Sequence, residues 1–207
     1  MEPIQEINYK NHVIKIVPDS DTESPREWDN LGTICYRHRN YILGDQSIPS
    51  DIDNEKSFIT WYEAMSGDKI VVKLPLSIYD HSGITMYVGS GSGWDTSMIG
   101  WIVATRKNIL NEYGVKRLSK KILGQVEENL RGEIKNYDTY LRGEVVGYQV
   151  EGPSCDDSCC GYYSDDDAIQ AAKGSIDCSI QQTQLKHQRQ LKKYIQSSVP
   201  IAYRFLQ

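Results

Sequence analysis

The segment KIVVKLPLSIY (Lys69–Tyr79) has the strongest strand pattern in this chain. Its apolar side chains recur at every second position, which is the pattern of a β-strand with one buried face: Ile70, Val72, Leu74, Leu76 and Ile78. Pro75 has no amide hydrogen, so the strand is predicted to lie at a sheet edge or to be bulged there. Gly83 predicts a turn into Ile84–Val88, and the two segments together indicate an antiparallel hairpin.

Around this hairpin, segments with the apolar spacing of strands and segments with that of helices follow one another in irregular order. Further strands are predicted at Val13–Val17, Leu31–Tyr36, Met98–Ala104 and Glu144–Val150. Helices are predicted at Ser57–Met65, Arg106–Tyr113, Val115–Leu141 and from Asp165 to about Ser197. This order has no regular βαβ rhythm and predicts an α+β fold: a single domain with an antiparallel or mixed sheet packed against helices. We expect a core domain at residues 1–164 and a C-terminal helical extension at 165–207.

Length, charge and cysteine count indicate which classes of protein this chain can belong to. The chain has 207 residues and a net charge of −5, and no apolar run approaches the roughly 20 residues that span a bilayer. The N-terminus lacks a basic region followed by an apolar run, so we expect no signal peptide, no membrane contact and a cytoplasmic location. Five cysteines is an odd number, which favours thiols over a disulfide framework.

Four polar residues near predicted turns are the candidates for chemistry. Asp29, Asp80, His81 and Asp95 would offer carboxylate oxygens and an imidazole, which suit a divalent metal ion or acid–base catalysis. A metal-dependent hydrolase or nucleotide-processing enzyme is therefore one hypothesis. The alternative is that these aspartates cap turns and that the protein has no cofactor. The basic run Arg37–Arg39 is predicted to pair with nearby carboxylates such as Asp29 or Asp45.

Several longer motifs carry a family resemblance. They are SPREWDNLG (Ser24–Gly32), RNYILGD (Arg39–Asp45), YDHSG (Tyr79–Gly83), GWDTS (Gly93–Ser97) and LRGEV (Leu141–Val145). With these motifs the chain resembles a family of small, uncharacterised proteins of bacteriophages and mobile elements. The resemblance covers roughly residues 24–161, and it implies a phage context and hence the cytoplasm of a host cell. It implies no mechanism.

Acidic residues form three clusters that could imitate the phosphates of a nucleic acid. The clusters consist of Asp19, Asp21 and Glu23, then Asp51, Asp53 and Glu55, and finally Asp156 and Asp157. A basic groove on a partner would recognise such a surface. Together with the phage context, this suggests an accessory protein that binds and inhibits a host component, specifically a CRISPR or restriction defence complex, by protein–protein contact.

The C-terminal helix offers a second binding surface. Ile169, Ala172, Ile176 and Ile180 follow a helical spacing, so the first half is predicted to pack on the protein. Beyond Gln181 the apolar residues thin out, and basic residues dominate: Lys186, Arg189, Lys192 and Lys193. We expect this half to lie on the surface and to form a homodimer, at least partly through Gln181–Tyr194. Nucleic-acid binding by the same basic residues is a further alternative.

Overall fold

The structure is a computed structural model that describes residues 2–81, 83–91 and 93–198. The chain forms two compact units. One, which we call the end unit, combines Met1–Thr22 with Val145–Gln207, and the other, the central unit, is the continuous stretch Glu23–Glu144. The core domain at 1–164 and the helical extension at 165–207 stay a prediction. The helix that begins at Asp165 packs on the sheet of the end unit.

The strands are β1 Gln5–Tyr9, β2 His12–Pro18, β3 Thr33–Tyr36, β4 Gln46–Ser47, β5 Ile70–Asp80, β6 Ile84–Val88, β7 Thr96–Thr105, β8 Val146–Glu151 and β9 Asp157–Tyr162. The helices are α1 Glu55–Ser66, α2 Arg106–Glu112, α3 Lys120–Leu141 and α4 Asp165–Ser198, with a short 3₁₀ turn at Pro25–Glu27. The α+β class and the long C-terminal helix are confirmed. No helix within the described ranges has the length and apolar character needed to cross a membrane.

The central unit contains the sheet that the alternation in Lys69–Tyr79 predicts. Its strand order is β4-β3-β7-β5-β6, antiparallel except for the short β3–β4 pair. One face, which we call the inner face, packs Leu74, Leu76 and Ile78 against Val126 and Leu130 of α3. The opposite face, the outer face, is partly covered by α1, whose Phe58 ring lies 4.3 Å from the ring of Trp101 between centroids. The predicted packing of a largely antiparallel sheet against helices is thus confirmed.

Pro75 lies where the pairing of β5 changes. On one side it is opposite Trp101 of β7, whereas on the other side the β6 ladder begins only at Leu76. The Pro75 carbonyl accepts from Gly89 N at 2.8 Å, while the Gly89 carbonyl, which an amide at position 75 would face, accepts from the Ser77 hydroxyl instead. The strand as a whole lies inside the sheet, so proline is tolerated because the ladder stops beside it and not because β5 is an edge strand.

The end unit contains a second, four-stranded antiparallel sheet in the order β1-β2-β8-β9. Ile14, Ile16 and Val150 form its core with Ala172 and Ile176 of α4. The first half of α4 is therefore packed, as predicted. From Gln181 to Ser198 every described residue of α4 is exposed, which confirms that the second half lies on the surface.

Two glycines predict opposite effects of the same substitution. A Cβ at Gly100 would lie 2.0 Å from the Cys35 carbonyl oxygen, so Gly100→Ala should force β3 and β7 apart and lower the free energy of unfolding by about 1–3 kcal/mol. A Cβ at Gly124, in α3, meets nothing within 4 Å. Gly124→Ala should therefore raise the free energy of unfolding by about 1 kcal/mol. Urea unfolding of both variants checks this, and equal effects would contradict it.

Candidate functional site

The SPREWDNLG segment is built around one buried arginine. Ser24 caps the 3₁₀ turn by accepting from Arg26 N at 3.2 Å, which directs the Arg26 side chain inward. Its guanidinium donates to both oxygens of Asp45, at 3.1 Å from Nε and 2.6 Å from Nη2. It also donates from Nη1 to Glu133 Oε2 at 3.0 Å and from Nη2 to the Gly32 carbonyl at 2.7 Å.

The two carboxylates are themselves tied to backbone amides. Glu133 accepts from Leu31 N at 3.0 Å and Gly32 N at 3.1 Å, and Asp45 accepts from Ile34 N at 2.7 Å. Burial raises the pKa of Glu133, although Arg26 and the two amides act in the opposite direction. Burial alone would lower the pKa of Arg26, but the bonds to Asp45 and Glu133 outweigh it and the net shift is upward. The network fastens the 3₁₀ turn, β3 and α3 to one another.

The arginine that pairs with Asp45 was not predicted. We expected the Arg37–Arg39 run to supply it, but Arg37 donates to the Pro49 and Ile52 carbonyls instead. Arg26 reaches Asp45 because the capped 3₁₀ turn points its side chain inward. Arg37 instead follows directly after the end of β3. The signal that could have identified Arg26 is the Ser-Pro pair before it, which is typical of a turn that starts at a cap.

Asp29 lies beside this network and does not join the other candidates for chemistry. With Trp28 and Asn30 it lines a polar cavity of about 280 Å³, whose opposite wall is formed by α3 residues Asn129 and Asn136. The structure thus separates the SPREWDNLG motif from the YDHSG and GWDTS motifs. Within the described ranges, no group of three or more His, Cys, Asp or Glu side chains is placed to hold a metal ion.

The YDHSG and GWDTS motifs do converge, because YDHSG lies at the end of β5 and GWDTS at the start of the adjacent, antiparallel β7. Asp80 N donates to the Asp95 carbonyl at 3.1 Å, and His81 Nδ1 lies 3.8 Å from Asp95 Oδ2. The rings of Tyr79 and His81 lie 6.2 Å apart. We call this region, comprising Tyr79, Asp80, His81, Trp94, Asp95 and Met98, the sheet-end surface.

Large apolar side chains are displayed on the sheet-end surface. Trp94 is fully exposed, and Tyr79 and Met98 are 41% and 45% exposed. Tyr79 is opposite Thr96, and Met98 is opposite Ser77, so Tyr79 and Met98 lie on the same outer face of the sheet. The loop after β6 covers Ser77, which donates to the Gly89 carbonyl and accepts from Gly91 N. The apolar display is therefore built on a fixed backbone.

Met98 also lines a groove on the same outer face, so the two features are continuous. We call it the outer-face groove; it has a volume of about 410 Å³ and is lined by Arg37, Ile48, Ile52, Asp53, Asn54, Glu55, Met98, Ile99, Gly100 and Trp101. Glu55 pairs with Lys73, whose Nζ lies 5.4 Å from the centroid of the Trp101 ring. The predicted acidic cluster Asp51, Asp53 and Glu55 is exposed, and its last two members line this groove.

The other predicted binding residues have different environments. Asp19, Asp156 and Asp157 accept hydrogen bonds from Gly161 N, Gly152 N and the Tyr148 hydroxyl, so they help to hold the end unit together. The remaining residues of the prediction are exposed: Asp21, Glu23, Lys186, Arg189, Lys192 and Lys193. No protein-family model, curated protein or solved structure compared with this chain matches it.

The five cysteines predict a simple pattern of thiol reactivity. All are free; Cys35 and Cys155 are buried, while Cys159, Cys160 and Cys178 are exposed. Burial, with a smaller contribution from the charge of Asp45, raises the pKa of Cys35 to about 12. Because the thiolate is the reactive form, three thiols should react quickly with a disulfide reagent at neutral pH and two only after unfolding. Counting the released chromophore checks this, and five fast thiols would contradict it.

Proposed function

We propose that this protein acts by protein–protein contact and binds its partner through the outer-face groove and the sheet-end surface. The observation that carries the proposal is the display of Tyr79 and Met98 on one face beside that groove, with the exposed Trp94 in the turn just before β7. Exposed aromatic and methionine side chains gathered at one place are typical of the centres of protein interfaces, where a few such residues supply most of the binding energy.

The charge around the groove indicates the chemistry of the partner. Asp53 and Glu55 line the groove and Asp51 lies two residues away in the chain, whereas Arg37, which also lines it, donates to backbone carbonyls and Lys73 pairs with Glu55. A partner with an apolar patch beside a basic groove would complement this surface. With the phage context that the motif resemblance implies, we propose a host CRISPR or restriction defence complex, inhibited at its nucleic-acid-binding groove.

A matched set of variants tests this proposal. Immobilised wild-type protein should capture a nucleic-acid-processing defence complex from bacterial lysate, and the captured complex should then bind in calorimetry with purified components. Trp94→Ser and Met98→Ser should each weaken that binding about 30-fold or more, as expected for interface hot spots. Ile4→Ser, which changes an exposed apolar residue of the end unit, is the control and should bind normally. Capture without a nucleic-acid enzyme, or unchanged affinity in Trp94→Ser, overturns the proposal.

One observation favours the alternative enzyme hypothesis. His81 and Asp95 lie side by side on the sheet-end surface, and this pair could take part in acid–base chemistry or contribute to a divalent metal site. A thermal-shift scan with magnesium, manganese and zinc distinguishes the two hypotheses, because an ion that binds only the folded protein raises its melting temperature. A shift that disappears in Asp95→Asn would support the enzyme, and its absence in wild type would remove this alternative.

The exposed half of α4 leads to a prediction on oligomeric state. Leu185, Leu191 and Ile195 lie exposed along a surface with four basic residues, and they could pair with a second copy. We expect a homodimer formed at least partly through residues 181–194. Light scattering of the full chain and of a chain ending at Ile180, which keeps the packed half of α4, checks this. A monomeric full chain, or a dimeric truncated chain, would contradict it.

A further inference from the structure

A buried histidine in the end unit is held in one tautomer. His12 begins β2 and is 2% exposed. Its Nδ1 lies 2.7 Å from the Lys10 carbonyl, which can only accept, so Nδ1 carries the proton and Nε2 is the unprotonated nitrogen. The turn that aims this carbonyl is fixed by Lys10 and Asn11, both in the left-handed region with φ of 47° and 62°.

A serine hydroxyl faces the unprotonated nitrogen. Ser154 Oγ lies 3.0 Å from His12 Nε2, so the hydroxyl donates to it. The Ser154 amide lies 3.4 Å from the same nitrogen. A Cβ at Gly152 would be 2.1 Å from His12 Cδ2, so only glycine lets this loop approach the imidazole so closely. The loop at residues 152–154 is thus packed closely against the His12 imidazole and hydrogen-bonded to it.

Ser154 also lines an open cavity. The cavity has a volume of about 410 Å³ and is walled by Ser154, Cys155, Asp156, Asp157, Ser175, Cys178, Ser179 and Gln182. Ser179 of α4 donates to the Ser154 carbonyl, which fixes the backbone of the serine at the wall. Asp157 is occupied by hydroxyl donors from Tyr148 and Ser175, so its charge is held away from the imidazole.

We propose that Ser154 is a nucleophile activated by His12, and that the cavity takes a small carboxylic ester with a neutral acyl group. A hydroxyl, an imidazole that accepts its proton and a third group that orients the imidazole are the nucleophile, the base and the orienting group of nucleophilic acyl transfer. Here the Lys10 carbonyl takes the orienting role. Asp156 and Asp157 on the cavity wall disfavour an anionic acyl group.

The reaction balances with water as the only co-reactant. Ser154 Oγ forms a bond to the ester carbonyl carbon while its proton passes to His12 Nε2. The ester C–O bond then breaks, and the leaving alcohol takes that proton, which leaves an acylated Ser154. Water attacks the acyl carbon with His12 again accepting a proton, the carboxylic acid leaves, and the Ser154 hydroxyl is restored. This activity lies in the end unit and is independent of the proposed partner-binding surface.

Covalent labelling of the full chain tests the proposal. The probes are p-nitrophenyl acetate and a fluorophosphonate, and the modified peptide is identified by mass spectrometry. We expect an adduct on Ser154 in the wild type and in Ser197→Ala, which changes an exposed hydroxyl near the end of α4, outside the cavity. His12→Gln should reduce the labelling rate about 100-fold or more, which is the scale of general-base catalysis.

A second comparison needs no variant and covers the case in which His12→Gln fails to fold. Native wild-type protein should label at Ser154 about 100-fold faster than the same protein unfolded in urea, because only the fold places the imidazole on the hydroxyl. Labelling that is absent from Ser154, equal in native and unfolded protein, or unchanged in a folded His12→Gln variant overturns the proposal and leaves His12 as a structural clamp.

Discussion

Replacing Arg26 with alanine will lower the free energy of unfolding of this protein by about 3–5 kcal/mol. The Arg26 side chain is 8% exposed and the Glu133 side chain 9%, so the substitution leaves the Glu133 carboxylate buried without its partner. Asp45 loses the same guanidinium, and the 3₁₀ turn loses its bond to the Gly32 carbonyl. Breaking one side of a buried pair costs more than the pair itself contributes, because the remaining charge has lost its water and its partner.

The matched control is an arginine in an exposed pair on α3. Arg131 bonds Glu127 at 2.8 Å one turn away, and both side chains are about half exposed. Arg131→Ala should change the free energy of unfolding by only about 0.3–0.5 kcal/mol. Urea unfolding monitored by tryptophan fluorescence measures both variants. A loss below about 1 kcal/mol in Arg26→Ala would mean that the network is hydrated and that its role in holding the turn is smaller than we infer.

Replacing Phe58 with alanine will have a similarly large effect, at about 3–5 kcal/mol. Phe58 is fully buried between α1 and the outer face of the central sheet. Its ring stacks on Trp101 at 4.3 Å and lies about 6 Å from the rings of Trp61 and Tyr62. Removing it leaves a cavity that the surrounding aromatic rings cannot fill without leaving their rotamers.

Phe58→Ala should also weaken binding of the proposed partner, because the Trp101 ring that stacks on Phe58 lines the outer-face groove. Phe58→Leu, which keeps part of the volume, should lose less stability, and Met65→Ala on the exposed side of α1 should lose under about 0.5 kcal/mol. Denaturant unfolding ranks the three variants. Equal losses in Phe58→Ala and Met65→Ala would contradict the position of Phe58 as the anchor of α1.

The periodic elements could be predicted from the sequence, whereas β1 and β9 could not. Apolar alternation identified β2 and β5, and the 3.6-residue stripe identified α3, because each buries one complete face. By contrast, β1 and β9 are edge strands of largely polar residues, and most of their side chains are exposed. They become strands because β2 and β8 offer unpaired edges, which is a property of the assembled sheet.

The candidate sites likewise include some contacts that the sequence could predict and others that it could not. The YDHSG and GWDTS motifs converge because they adjoin neighbouring ends of β5 and β7, so their meeting follows once that pairing is known. The Arg26–Glu133 and His12–Ser154 contacts each join residues more than 100 positions apart. No local pattern specifies such a contact, since it depends on how distant elements pack. That is also why Asp29 could not be separated from Asp80 in advance.

The division of the end unit between the two ends of the chain has a consequence during synthesis. Strands β1 and β2 leave the ribosome before the central unit does, but β2 pairs with β8, so its second neighbour is made only after Glu23–Glu144 has been translated. At about 5–20 residues per second, that interval lasts about 6–25 s. An isolated hairpin is marginal in water, so Ile14 and Ile16 remain unshielded for the whole interval. We expect the nascent chain to depend on a ribosome-associated chaperone during this time, while the continuous central unit can already fold.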